Sequence, residues 1–144
     1  MIGTIAVGTD GSETASKAVD FALDLAEKFG SHVVVASSYK PVSESRVRSE
    51  QREAPADIQW SINPMEDVNA ALREVEEKAK ARGLEATSEA REGEPADVLC
   101  DIAAQHNADL LVVGNKGMQR RVLGSVPNSV SHKSPCSVVI VKTT

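Results

Sequence analysis

The stretch LLVVGNKGMQRRVLGS, residues 110–125, carries a strand into a glycine-rich loop and out toward a helix. Leu110 to Val113 is an uninterrupted apolar run, which suits a strand buried on both faces rather than one with a wet side. It stops at Gly114. The loop beyond has a second glycine at Gly117, cations at Lys116, Arg120 and Arg121, and a closing Gly124-Ser125 just ahead of a helix start at Val126. Glycines let backbone N–H groups turn toward a ligand with no Cβ in the way, and a helix N-terminus adds unpaired N–H donors at a positive dipole end. Phosphate is the ligand this chemistry suits. Local charge agrees, because all 21 acidic residues lie in the first 109 positions whereas five of the 16 Lys and Arg follow them. A chain of net charge −5 therefore keeps a cationic end.

Working outward, the flanks alternate strand and helix. Ile2 to Val7 reads as a strand, and Gly8-Thr9-Asp10-Gly11-Ser12 as a turn into a helix that Ser12 caps and Glu13 opens. Ala15, Ala18, Val19, Ala22, Leu25, Ala26 and Phe29 keep helical spacing, and Gly30 ends it. Val33 to Ser37 is a second buried strand. Residues 40–63 lose all period and read as a variable surface segment, with Trp60 and Ile62 pinning its end. Pro64 starts a helix with Val68, Leu72, Val75 and Ala79 on one face, and Gly83 follows its end. Leu84 to Glu89 is a more polar strand suited to a sheet edge, and a helix from Pro95 turns Val98, Leu99, Ile102 and Ala103 inward. After the glycine loop come a short helix, Val126 to His132, and a last apolar strand, Ser137 to Val141.

This alternation predicts an α/β fold with a mostly parallel sheet of about five strands. Ligands of such sheets bind at the carboxyl ends of the strands, where the winding reverses. The strand ends at Gly8 and Gly114 are the candidates to flank that crevice, with Asp10 facing the basic loop if the two strands are neighbours.

Composition bounds the rest. A chain of 144 residues is one domain of ordinary size, with 41% hydrophobic and 26% charged residues, and no apolar run approaches the ~20 residues of a membrane helix. The start, MIGTIAVGTDGS, has no signal-peptide character, so the expected location is the cytoplasm. Cys100 and Cys136 form neither a disulfide framework nor a zinc pattern and read as packed thiols. Net acidity and 3% aromatic content argue against nucleic acid as a partner.

Each candidate residue has a plainer role beside the functional one. Asp10 is suited to a ribose diol or to stabilising its own turn. Gly114 and Gly117 serve close approach to phosphate or turn geometry. If phosphate, a branched side chain at either should cost binding while leaving the fold intact. Ser125 is a phosphate donor, a helix cap, or both. Lys116, Arg120 and Arg121 fit a solvated loop as well as a phosphate. The P-loop pattern is excluded because Gly124-Ser125 lacks its lysine, and Gly8 and Gly11 do not complete a dinucleotide fingerprint. His32, His106 and His132 are scattered, without a nucleophile elbow, so no catalytic or metal residues are assigned.

Four stretches carry a resemblance: VGTDGS at 7–12, VVVASSY at 33–39, GEPADVL at 93–99 and VVGNKGMQRRVLGSVPNSVSHKSPCSVVIVK at 112–142. On these the chain resembles the universal stress proteins over essentially its whole length. The resemblance implies a three-layer α/β sandwich with a five-stranded, mostly parallel twisted sheet, Rossmann-like and akin to the adenine nucleotide alpha hydrolases. It implies a stress-response or signalling module that binds an adenine nucleotide, and with no metal-holding set or group to position an attacking oxygen in view the chain is expected not to be an enzyme. Gly8 and Asp10, with Thr9 between them, would meet the adenosine, and Ser37 would lie beside adenine through its backbone. Gly114, Asn115, Gly117, Gly124, Ser125 and Val126 would hold phosphate, with Met118 in the same nucleotide-binding set. The spacer from Met118 to Leu123 is six residues, shorter than the family's usual one, which leaves ATP (with Mg2+ as its companion), AMP and cyclic AMP all open. A homodimer through strand 137–141 is expected from its apolar edge and from the family. The alternative, a phosphate-ester or ATP hydrolase of low activity, comes from the likeness of GTDGS to the Asp-x-Asp-Gly loop of aspartyl-phosphate phosphatases. Gly8 stands where that loop has its nucleophile.

Overall fold

A computed structural model describes residues 2–39, 64–115 and 125–143. The segment expected at 40–63 lies outside them, as do residues 116–124, and with these Lys116, Gly117, Met118, Arg120, Arg121 and Gly124. Among the described residues, strands β1 (Thr4–Gly8), β2 (His32–Tyr39), β3 (Ala86–Glu92), β4 (Leu110–Gly114) and β5 (Ser137–Val141) form a five-stranded sheet in the order β3-β2-β1-β4-β5. Every pairing is parallel. The helices are α1 (Glu13–Phe29), α2 (Pro64–Ala81), α3 (Pro95–Gln105) and α4 (Ser125–Lys133).

Local chemistry accounts for the boundaries. Ser12 caps α1 by accepting the Ala15 N–H at 3.1 Å, and Gly30, at φ 66°, ends it in the left-handed conformation that glycine adopts without strain. β1 starts at Thr4 rather than Ile2; ahead of it the Ile2 carbonyl accepts from Ser31 Oγ, and the Gly3 N–H donates to Asp109 Oδ2 at 2.8 Å. β3 runs on to Glu92 rather than stopping at Glu89, since β2 continues to Tyr39 and keeps pairing with it. Its polar residues are tolerated because β3 is an edge strand.

Alternate residues of the central strands feed two cores. Ile5, Val7, Val33, Val35 and Val112 pack under α1 and α2 on one face. Ala6, Val34, Ala36, Leu111 and Val113 pack under α3 and α4 on the other. Both faces are covered, hence the apolar runs that the sequence shows. Across the α1–α2 seam Lys78 Nζ donates to Ser16 Oγ at 3.0 Å, and Arg82 pairs with Asp24 and Glu27. On the other face Lys133 bonds Asp97 at 3.0 Å, joining α4 to α3. Cys100 is buried and Cys136 half-buried, both free, and burial pushes the Cys100 thiol above its usual range. No helix among the described residues is long and apolar enough to cross a membrane.

Candidate functional site

The chain starts in the middle of the sheet, winds outward through β2 to β3, then returns to lay β4 and β5 on the other side of β1. The winding therefore reverses between β1 and β4, which pair directly through Ile5↔Leu110, Ala6↔Leu111 and Val7↔Val112. A cavity of about 390 Å³ opens at this point, at the carboxyl ends of the strands. Of the residues expected there, Gly8, Thr9, Asp10, Ser37, Gly114, Ser125 and Val126 all line it. Gly117, Met118 and Gly124 lie outside the described residues.

Because the strands are parallel, the helices begin at the same end of the sheet. Three of them bring their first turns to this cavity: α1 with Ser12, Thr14 and Ala15, α3 with Pro95, and α4 with Ser125, Val126 and Pro127. Their partial positive ends converge on one space, which favours an anion there. Asp10 is the carboxylate among the lining residues, and its Oδ1 accepts the Ser12 N–H at 2.9 Å, so the turn-stabilising role is present. Among the described residues no group of three or more His, Cys, Asp or Glu is arranged to hold a metal ion.

The end of β2 adds a polar strand edge to the same cavity. Thr9 N–H donates to Ala36 O at 3.0 Å and His32 N–H to Gly3 O at 2.9 Å, so the even-numbered residues of β2 turn their backbone toward β1. Val33 N–H donates to Glu85 O at 3.0 Å and Tyr39 O accepts from Gly93 N–H at 3.0 Å, so the odd-numbered ones turn toward β3. β1 ends at Gly8, which pairs with Ala36. The N–H and C=O of Ser38 thus point into the side that β1 has left, and Ser38 lines the cavity. Ser37, assigned to the ligand through its backbone, turns that backbone to β3 and donates its hydroxyl to Thr9 O at 2.7 Å. It holds the β1 turn, and its neighbour presents the edge.

Two more placements differ from the sequence reading. Asn115 is buried beside the cavity rather than in its lining, with Oδ1 accepting from the Thr143 N–H and hydroxyl and its own N–H donating to Val141 O. Gly114 is hemmed in by the protein as well as open to the cavity. A Cβ there would lie 3.3 Å from Thr143 Cγ2, so a branched residue at 114 would press on the fold, contrary to the expectation that only binding would suffer. Leu99, Pro95, Ser38 and Thr143 line the cavity without having been singled out for it. The first helical position at Pro95 was a usable signal, since a helix that follows a parallel strand starts at the ligand end.

A family model described as the universal stress protein family matches residues 1–142. The chain belongs to the universal stress protein family. It is 34% identical to universal stress protein Rv1636 of Mycobacterium tuberculosis over 145 residues, covering 98% of this chain and 97% of that one. Among solved structures it is similar to a universal stress protein in complex with cAMP, with 35% identity, a TM-score of 0.77 and 99% of each chain covered. It is also similar to the universal stress protein from Archaeoglobus fulgidus in complex with dAMP, with 25% identity, a TM-score of 0.66, and 99% of this chain and 100% of that one covered.

Proposed function

We propose that the cavity binds an adenine nucleotide with one phosphate group, cyclic AMP or AMP, and that the protein works as a stress-response module that senses this ligand. The observation that carries the reading is the polarity of the cavity along its length. A bare strand edge at Ser38 suits a base at one end, and the first turns of α1 and α4 suit an anion toward the other. The ends of β2, β1 and β4 and the residue beyond β5 lie in a row of three strand spacings, about 14 Å, a length that suits a nucleoside monophosphate. The likeness to a universal stress protein in complex with cAMP supports the same ligand class.

Turnover is not part of this reading. Fast phosphoryl transfer needs a metal near the phosphates and a group that positions the attacking oxygen. Asp10 is the carboxylate that the described lining offers, and one of its oxygens is already bound to the turn, a poor set for Mg2+. Helix ends and backbone donors hold ground state and transition state alike, and uniform binding does not raise a chemical rate. The expected protein is cytoplasmic and dimeric through β5.

The test is twofold. Mass spectrometry of the denatured protein should release AMP or cyclic AMP, and calorimetry should rank both above ATP. Failure of all three to bind at millimolar concentration would sink the reading. ATP bound tightest, or phosphate released from ATP at about one per second or faster, would replace the monophosphate sensor with an ATP protein or an enzyme.

A further inference from the structure

Thr143, two residues beyond β5, is 3% exposed and forms the cavity wall next to Gly114. Its backbone and hydroxyl are fully committed. The N–H and Oγ1 both donate to Asn115 Oδ1 at 2.7 Å each, and the carbonyl accepts from Lys17 Nζ of α1 at 3.1 Å. Asn115 is also 3% exposed and sends its own N–H to Val141 O at 3.0 Å. These bonds strap the residue after β4 to the residues at and beyond the end of β5. Gly114 sits inside the strap, with the Thr143 methyl 3.3 Å from the place its Cβ would take. A buried network this fully paired is rigid, because breaking one bond leaves a desolvated partner unmet.

The geometry points to Asn115 and Thr143 as a positioning pair that sets the Gly114 wall of the cavity and, through that wall, the fit of the ligand's phosphate. This rests on the nucleotide reading above and adds residues to it that act at one end only. The base end, at Ser38, lies on the far side of β1 from β4, so a shift of the Gly114 wall leaves it in place. The pair should therefore matter for a nucleotide and not for the nucleoside, a distinction that a general support of the fold would not make.

Asn115→Ala removes both hydrogen bonds to Thr143, and Thr143→Val removes one at nearly constant volume. Calorimetry of each with AMP and with adenosine tests the pair, with thermal unfolding alongside. AMP affinity should fall about tenfold in Asn115→Ala and less in Thr143→Val, while adenosine affinity stays at the wild-type value. Thr143→Ser, which keeps the hydroxyl, should bind AMP much as the wild type does. If Asn115→Ala does not fold, Thr143→Val against Thr143→Ser decides the matter alone. Parallel loss of AMP and adenosine, or no loss of either, overturns the positioning role. A wild type that binds neither ligand overturns the nucleotide reading itself.

Discussion

Gly8 at the end of β1 and Leu99 of α3 meet so closely that a Cβ on Gly8 would stand 2.8 Å from Leu99 Cδ1. Both line the cavity, so the contact sets its width as well as the packing beneath it. Gly8→Ala should push the Leu99 side chain toward the ligand space. Overpacking of this kind costs about 1–3 kcal/mol, and the low end applies here because a leucine tip can give way. Nucleotide affinity should fall with it, and Leu99→Ala in the same chain should recover binding. Urea unfolding reads the first effect and calorimetry the second. Wild-type affinity in Gly8→Ala would mean that Leu99 relaxes away from the cavity.

That contact also marks where sequence reading stops. The apolar runs at Val33 and Leu110, the Ser12 and Gly30 caps and the glycine at each central strand end are local signals, and each is where the periodicity puts it. Adjacency of β1 and β4 is a matter of strand order, which alternation leaves open, so Gly8, Asp10 and Gly114 could be brought to one crevice only on the condition that the two strands are neighbours, and the register supplies it. Leu99 could be read as inward but not as the residue resting on Gly8, because that is a matter of where α3 crosses the sheet. Ser37 and Ser38 are alike in sequence, and only the register with β1 and β3 decides which turns its backbone toward the cavity. Thr143 follows the last strand with no motif around it. Its role comes from Val141 pairing with Gly114 across the sheet.

Asp109 makes the fold sensitive to acid. Its Oδ2 accepts the N–H groups of Gly3 at 2.8 Å and Thr4 at 3.1 Å, and these bonds, Gly3 first, hold its carboxyl below the ordinary aspartate range. A carboxyl that binds its proton less readily when folded stabilises the fold above the ordinary value of 3.8, and that contribution is lost as pH falls through the lower folded value. Asp109→Ala should thus lower the urea midpoint at neutral pH, and the gap from wild type should close as the pH is taken down to about 2. A gap that persists undiminished in acid would assign the loss to something other than these charge-assisted bonds.

β5 should carry the dimer. Its sequence, SVVIV, has no charge and no proline, Val138, Val139 and Ile140 are half-buried, and the strand lies at a sheet edge whose outer backbone groups invite another strand. The opposite edge, β3, is guarded by Glu89 and Arg91, which pair at 2.8 Å. Val139→Lys places a charge on the apolar side, and Ile140→Pro breaks the backbone line. Light scattering at micromolar concentration should find the wild type dimeric and both variants shifted toward monomer. A monomeric wild type would remove β5 as the interface.

The base end should prefer adenine to guanine. Adenine presents a 6-amino donor beside the N1 acceptor, and the Ser38 edge answers with a C=O acceptor and an N–H donor. Guanine reverses both, with a 6-oxo group beside an N1–H, so the carbonyl of Ser38 would face an oxygen and its N–H a hydrogen. A polar edge left unmet inside a cavity is what rejects a near-isosteric ligand. GMP should therefore bind at least about tenfold more weakly than AMP, on the order of 1.4 kcal/mol, and inosine monophosphate, which shares the 6-oxo group, should behave like GMP. Because Ser37 and Tyr39 make the ladder to β3, Ser38→Pro deletes the N–H proposed to meet the base while leaving those bonds in place. It should narrow the difference between AMP and GMP by weakening AMP. Calorimetry with the three monophosphates checks both expectations, and equal affinities in the wild type would move base recognition away from Ser38.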